Sequence, residues 1–322
     1  TSATAVDTAI EAMNTSLAEL GSASRQVDGQ IEFTGNRVLN AAGDLVLSAS
    51  NGSIINSSGD LTLRADDNIT INDNVSVSGA LAVLADDEPE GDGIGAVIIT
   101  NGTAITSDTS DITIDGVSIN VQDNAALVAA LGKVTLTAND DITVAGNITS
   151  NGKLTIHAGE GDINGTDTNA DVIISGRRLA TTGVDSDISI RGNTLNISTS
   201  SSIESRRDVL IQRATTGRIG LGAVSEDGLV LNDAEIRRIA ADRDLIIGDA
   251  PGAGANDLRV TRIDVQGLTT ASLTGVDGTF KIGALRNAGD GGVINFTGTS
   301  AQSFSNLEAR ARGRIQTSSA LT

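Results

Sequence analysis

The sequence predicts an all-β fold, a parallel β-helix whose coils run to about 20 residues, preceded by a short amino-terminal amphipathic helix. Three observations predict it. Gly132-Lys133-Val134-Thr135-Leu136-Thr137-Ala138 realigns with Gly152-Lys153-Leu154-Thr155-Ile156-His157-Ala158 at an offset of 20 residues. Inside each copy apolar and polar residues alternate, which turns one face of a strand inward. The composition agrees: aromatics are 1%, while 37 Gly and 2 Pro stand among 322 residues. A globular core fills irregular gaps with aromatic rings. Stacked layers of one shape need only mid-sized branched residues, with Gly at the many tight corners.

The amino-terminal segment, residues 1–30, is read separately from the solenoid, 31–322. Val6, Ile10, Met13, Leu17 and Leu20 are spaced 4, 3, 4 and 3, the apolar stripe of a helix with a heptad-like seam. Thr4 or Asp7 caps its start and Gly21 ends it. A helix this short is marginal alone, so its stripe docks on something: the solenoid's open end, or a neighbouring copy in an assembly.

From Ile31 the period-2 pattern takes over. Gly43-Asp44-Leu45-Val46-Leu47 and Gly59-Asp60-Leu61-Thr62-Leu63 are near copies 16 apart. Alternating runs follow at Ile69/Ile71, Val75/Val77 and Leu81/Val83, then the loop Ala85–Gly95. They resume at Val97/Ile99 and continue through Val172/Ile174, Ile188/Ile190, Val209/Ile211 and Ile219/Leu221. No long helical pattern appears after residue 40, which disfavours a βαβ architecture. Roughly 290 residues in such coils make about 14 layers, a rod on the order of 65–70 Å at the β-strand spacing. Asn139, Asn147, Asn151 and Asn164 are the residues expected to bond coil to coil at corners.

The net charge is −19, which argues against nucleic acid as a partner. It is unevenly spread: 5 Lys/Arg face 22 Asp/Glu in residues 1–160, and 17 face 19 in 161–322. That asymmetry fits either end-to-end association or a solvated surface. Cysteine is absent, so disulfides and thiolate metal sites are excluded. No stretch reaches the roughly 20 apolar residues of a membrane span. No signal peptide opens the sequence, and the chain reads as a processed or excised segment of something longer.

The densest carboxylate cluster is Asp86, Asp87, Glu88, Glu90 and Asp92. Hard oxygens at alternating positions suit calcium. The run departs from an EF-hand loop, with Glu where Asp or Asn is usual and Val97 at the twelfth position, so an extruded acidic loop is the competing reading. No other cofactor is implied. Asp66-Asp67 and Asp140-Asp141 precede strands and belong at corners. His157, the one histidine, falls on the polar phase of its strand and points outward, without partners for a triad or zinc site. Sequons at Asn51, Asn68, Asn74, Asn101, Asn147 and Asn196 follow from the Asn/Ser/Thr-rich corners. Some parallel β-helices are carbohydrate-active enzymes, whose sites cluster carboxylates or basic residues on one face beside aromatics. Arg177-Arg178, Arg206-Arg207 and Arg237-Arg238 line one face if coil registers agree, but aromatic platforms are missing.

Two resemblances add to this reading. Gly217–Asp249 contains Gly228-Leu229-Val230-Leu231, Ala234-Glu235-Ile236, Arg238-Ile239 and Leu245-Ile246-Ile247-Gly248. It resembles a block of bacterial exoproteins of the filamentous-haemagglutinin and autotransporter type, and the GDLTL-type repeats look similar to the same family. That resemblance spans about residues 40–300. It implies a right-handed parallel β-helix, secretion, and an adhesive or structural surface role. Thr4–Val38 resembles a helical segment near the carboxyl end of bacterial flagellins, with Leu20-Gly21, Ser24-Arg25 and Gln30 in similar places. It implies self-polymerisation. Together these readings lead to an extracellular, non-catalytic rod at the bacterial surface, a stalk or filament subunit. Its expected partners are further copies of itself, or cell-surface glycans or proteins.

Overall fold

A computed structural model describes residues 23–28, 30–50, 52–86, 95–159, 170–225, 228–250, 252, 254, 258–286, 291–298 and 302–322. Short branched runs between polar corners become strands of three to seven residues, and every strand pairing is parallel. One coil consists of Ile142–Val144, Asn147–Ser150 and Leu154–Ala158. Its strands pair with counterparts in the next coil, Ile142 with Val172, Ile148 with Leu179 and Leu154 with Ile188. Repetition builds three long sheets of eight, nine and eleven strands, here faces 1, 2 and 3 of a parallel β-helix.

The core is a set of columns. On face 3, Ile112, Val134, Leu154, Ile188, Val209 and Leu245 stack in register, each 0% exposed. Burying each such side chain is worth about 1.5–3 kcal/mol, and mid-sized branched residues suffice because the layers are alike. Phe280, Phe296 and Phe304 group near the carboxyl end, with ring centroids 6.0 and 6.1 Å apart.

The coil length is less uniform than the sequence predicts. Leu61 pairs with Leu81 and Val134 with Leu154, both at an offset of 20. Leu81 pairs with Ile112, Leu154 with Ile188 and Val209 with Leu245, at offsets of 31, 34 and 36. Among the described residues face 3 has eleven rungs, against the 14 or so layers expected, and its ladder is about 48 Å tall at roughly 4.8 Å per rung. The copies 16 apart are not coil partners either: Leu45 lies on face 1 and Leu61 on face 3. What recurs there is one corner-and-strand unit used at two corners of the same coil.

The ladder also reaches back before Ile31, because Ala23–Asp28 pairs with Leu45–Ser50. The stripe Val6, Ile10, Met13, Leu17 and Leu20 lies outside the described residues.

The corners share one device. The residue just before a strand accepts, through its side-chain oxygen, the backbone N–H of its equivalent in the next coil. Before face 3, Asn36 bonds Asp60 N (3.0 Å), Asp60 bonds Ala80 N (2.8 Å) and Asp111 bonds Lys133 N (2.8 Å). The same column continues from Asp187 to Asp208 N (3.2 Å), Asp208 to Asp244 N (3.1 Å) and Asp244 to Thr279 N (2.9 Å). Asn68 and Asp141 do this before face 1, and Asn74 and Asn147 before face 2. Corner N–H groups have no ladder partner of their own, and a buried orphan donor costs about 1–3 kcal/mol. Just inside, Ser107, Ser150 and Ser205, each 0–3% exposed, donate to corner carbonyls. Asn147 fills the expected role. Asn151 and Asn139 take part through their backbone, and Asn164 lies outside the described residues.

One face changes near residue 217. Face 1 ends at Thr194–Ile197, while faces 2 and 3 continue into Ile239–Ala241 and Leu245–Gly248. Gly228–Leu231 packs beside Thr194–Ile197 but belongs to a fourth sheet of five strands. An additional strand, Gly217–Gly222, precedes Gly228–Leu231 in the chain yet lies beyond it in the stack, between it and Val260–Gln266. It inserts an extra rung on one face only. The mismatch opens the ladder between face 1 and the fourth sheet.

Candidate functional site

Where the ladder opens, Ile197 loses the strand that would take its backbone groups. Side chains from the one-turn helix Asp233–Ile236 and from Arg238 just after it replace it. Glu235 Oε1 accepts Ile197 N–H at 3.2 Å, and Arg238 Nη1 donates to Ile197 O at 2.7 Å. The other oxygen of Glu235 closes a capping box, accepting Asn232 N–H at 2.9 Å while Asn232 Oδ1 accepts Glu235 N–H at 3.0 Å. A carboxylate and a guanidinium thus stand in for a β-bridge. The Ala234-Glu235-Ile236…Arg238 motif carries this clasp. Arg213, 8% exposed, fills the space behind the added strand. Its guanidinium donates to Thr215 O, Asn193 O and Arg218 O at 3.2–3.5 Å, and burial lowers its pKa.

A second construction lies on the outside of face 2, over three successive coils. Its strands are Arg178–Thr181, Ser202–Ser205 and Ile239–Ala241. Register stacks Ala180, Glu204 and Ala240 in one column. Ala180 is 0% exposed, while the short Ala240 side chain leaves space beside the longer Glu204. Arg178, Thr181, Thr182, Glu204, Ser205, Arg206, Ala240 and Asp242 line a hollow of about 330 Å³. Arg178 reaches Glu204 Oε2 at 2.6 and 2.7 Å, and Ser202 Oγ holds Oε1 at 2.8 Å. Arg206 meets Asp242 at 3.3 Å, and its backbone N–H is held by Thr181 Oγ1 at 3.0 Å. The hydrogen bond from Arg178, helped by Ser202, holds the Glu204 carboxyl below its ordinary range. Glu204 is a fixed anion, suited to accepting hydrogen bonds and unsuited to donating a proton.

The predicted arginine pairs are divided by the structure. Arg178 and Arg206 meet at the hollow. Arg177 turns to Asp123 (3.5 Å) and Asn124, Arg207 to Asp187 (3.7 Å), and Arg237 to Asp233 (2.8 Å). Arg238 shares the column of Arg178 but serves the clasp. Beside the hollow, Arg243 pairs with Asp208, and Lys281 with Asp244 at 2.5 Å.

Of the proposed calcium residues only Asp86 is described. It closes Leu81–Ala85 with φ +59°, a left-handed conformation that Asp tolerates better than most residues. Asp87, Glu88, Glu90 and Asp92 lie outside the described residues. Among the described residues no three His, Cys, Asp or Glu side chains group as metal ligands, and no helix is long and apolar enough to cross a membrane. His157 is half-buried on the outward phase, its Nε2 3.0 Å from Ser189 Oγ in the next coil. Asp249, 2% exposed, is the buried carboxyl the sequence does not announce. Burial raises its pKa, against N–H donors from Arg259, Leu285 and Val260. It pins the chain's return into Val260–Gln266 and is occupied by structure.

No family model, curated protein or solved structure matches this chain.

Proposed function

We propose that this chain is the rod of a secreted bacterial surface protein, a stalk or filament subunit that works mechanically and without catalysis. One observation carries the reading: the eleven-rung ladder of face 3, with its Asn/Asp column bonding corner N–H groups from one coil to the next. As far as Thr194–Ile197, each coil is tied to its neighbour on three faces and at the corners. Such a stack resists bending and offers a protease few unpaired segments. The acidic surface supplies solubility. The resemblance to filamentous-haemagglutinin-type repeats supports the surface location.

Two measurements test this. Small-angle scattering and negative-stain images of the purified chain are expected to show a rod about twice as long as wide, singly or joined into longer filaments; a spherical particle refutes the mechanical reading. Antibody labelling of intact source cells is expected at the surface. Label found only after lysis refutes the location.

A further inference from the structure

We propose that the hollow on face 2 is a binding site for a neutral hexopyranoside, gripped through its vicinal hydroxyls. This deepens the surface-rod reading by naming the class of ligand such a rod would hold. The volume of about 330 Å³ stands at the lower end of the roughly 300–1,000 Å³ typical of ligand pockets, room for a sugar unit or two.

The polar ends are held before any ligand arrives. Glu204 is anchored at both oxygens, by Arg178 and by Ser202. Arg206 is tied at its backbone and touches Asp242 through Nη1, which leaves further guanidinium donors for a ligand. Groups held in place lose little entropy on binding.

Charge selects the class. Arg178, Glu204, Arg206 and Asp242 alternate in sign, and their side chains remain 39–58% exposed. An anionic ligand meets two carboxylates, and a cationic one meets two guanidiniums. A hydroxyl donates to the first and accepts from the second, and adjacent hydroxyls do both at once. The exposed Thr182 adds a hydroxyl of its own, while those of Thr181 and Ser205 are spent inside the fold. The Ala240 methyl sets the floor. A peptide is a poorer fit, because the hollow has no apolar anchor pocket.

Ligand-observed saturation-transfer NMR on the whole chain tests the site. The probes are methyl glucoside, galactoside and mannoside with their disaccharides, and glucuronate and glucosamine as charged counterparts. The expected result is transfer from at least one neutral sugar, and transfer from the charged counterparts at least tenfold weaker. Glu204→Gln and Asp242→Asn, which keep shape, are expected to weaken binding tenfold or more. Ala240→Leu, which fills the hollow, is expected to abolish it. Silence from every neutral sugar at millimolar concentration overturns the proposal. So does glucuronate binding as well as glucoside, or binding unchanged in Glu204→Gln and Asp242→Asn. The rod images are independent of these titrations, so either idea can fail while the other stands.

Discussion

Removing the clasp at Ile197 should show whether side chains replace a strand there. Glu235→Ala deletes the acceptor of Ile197 N–H and of Asn232 N–H, bonds of 3.2 and 2.9 Å. It leaves a partly buried N–H at the edge of face 1 without a partner. A charge-assisted hydrogen bond contributes about 1.5–3 kcal/mol, and an orphaned donor costs about 1–3 kcal/mol. Loss of the capping box adds about 0.5–2 kcal/mol. These terms overlap, because one carboxylate serves both bonds, and the expected destabilisation is about 2–4 kcal/mol. Arg238→Met should cost about 1.5–3 kcal/mol through Ile197 O, and the double variant less than the two losses added, since both side chains secure one residue. Arg237→Ala, one position away, removes an exposed i,i+4 pair with Asp233 and should cost no more than about 0.5 kcal/mol. Stacked repeats open locally, so the decisive assay is residue-resolved hydrogen exchange. In Glu235→Ala the Ile197 amide should lose protection, while Leu154 and Ile156, deep in face 3, keep theirs. Equal losses in Glu235→Ala and Arg237→Ala, with an unchanged Ile197 amide, would refute the reasoning.

Further outcomes follow from the corners. Asp208→Ala removes the acceptor of Asp244 N–H and the partner of Arg243, and should cost about 2–3 kcal/mol in urea unfolding, with Asp208→Asn retaining part of it. Gly132→Ala places a methyl 1.9 Å from Ser110 O in the coil before and should cost about 1–3 kcal/mol in the same measurement, because that backbone must shift. Burial raises the Asp244 carboxyl, but Lys281, the Thr279 N–H and Arg243 outweigh it and the net shift is downward. A folded pKa below the unfolded one gives stability that is present above the ordinary carboxylate pKa of about 4 and lost as pH falls through the folded value. Denaturation midpoints are therefore expected to be flat from about pH 7 to 5 and to fall below about 4, with a shallower acid limb in Asp244→Asn.

Much of the fold was legible because a strand writes its pleat into the sequence. The alternation at Val134/Leu136 and Leu154/Ile156 marks which side chains go inward, and a shared shape of layer makes the two runs alike. The sequons have the same origin. In Asn68-Ile69-Thr70, Asn74-Val75-Ser76 and Asn147-Ile148-Thr149, a corner cap is followed by an inward and then an outward residue, which produces N-x-S/T without any glycan. The same economy misled the count of coils. One Gly-Asp-strand unit serves two corners, so copies 16 apart lie on different faces.

Local order also indicated that arginine pairs cluster after residue 170, but not which would meet. Neighbours in the chain point to different corners, so Arg178 and Arg206 face one hollow while Arg177 and Arg207 do not. The sequence by itself determined the layer: which residues are apolar, which cap, and that strands stack without helices between them. Only the tertiary structure decided the register between layers, the added strand Gly217–Gly222, the clasp on Ile197 and the hollow beside Glu204. Those depend on partners 10 to 44 residues away, and a period-2 pattern carries the direction of a side chain but no record of what stands across from it.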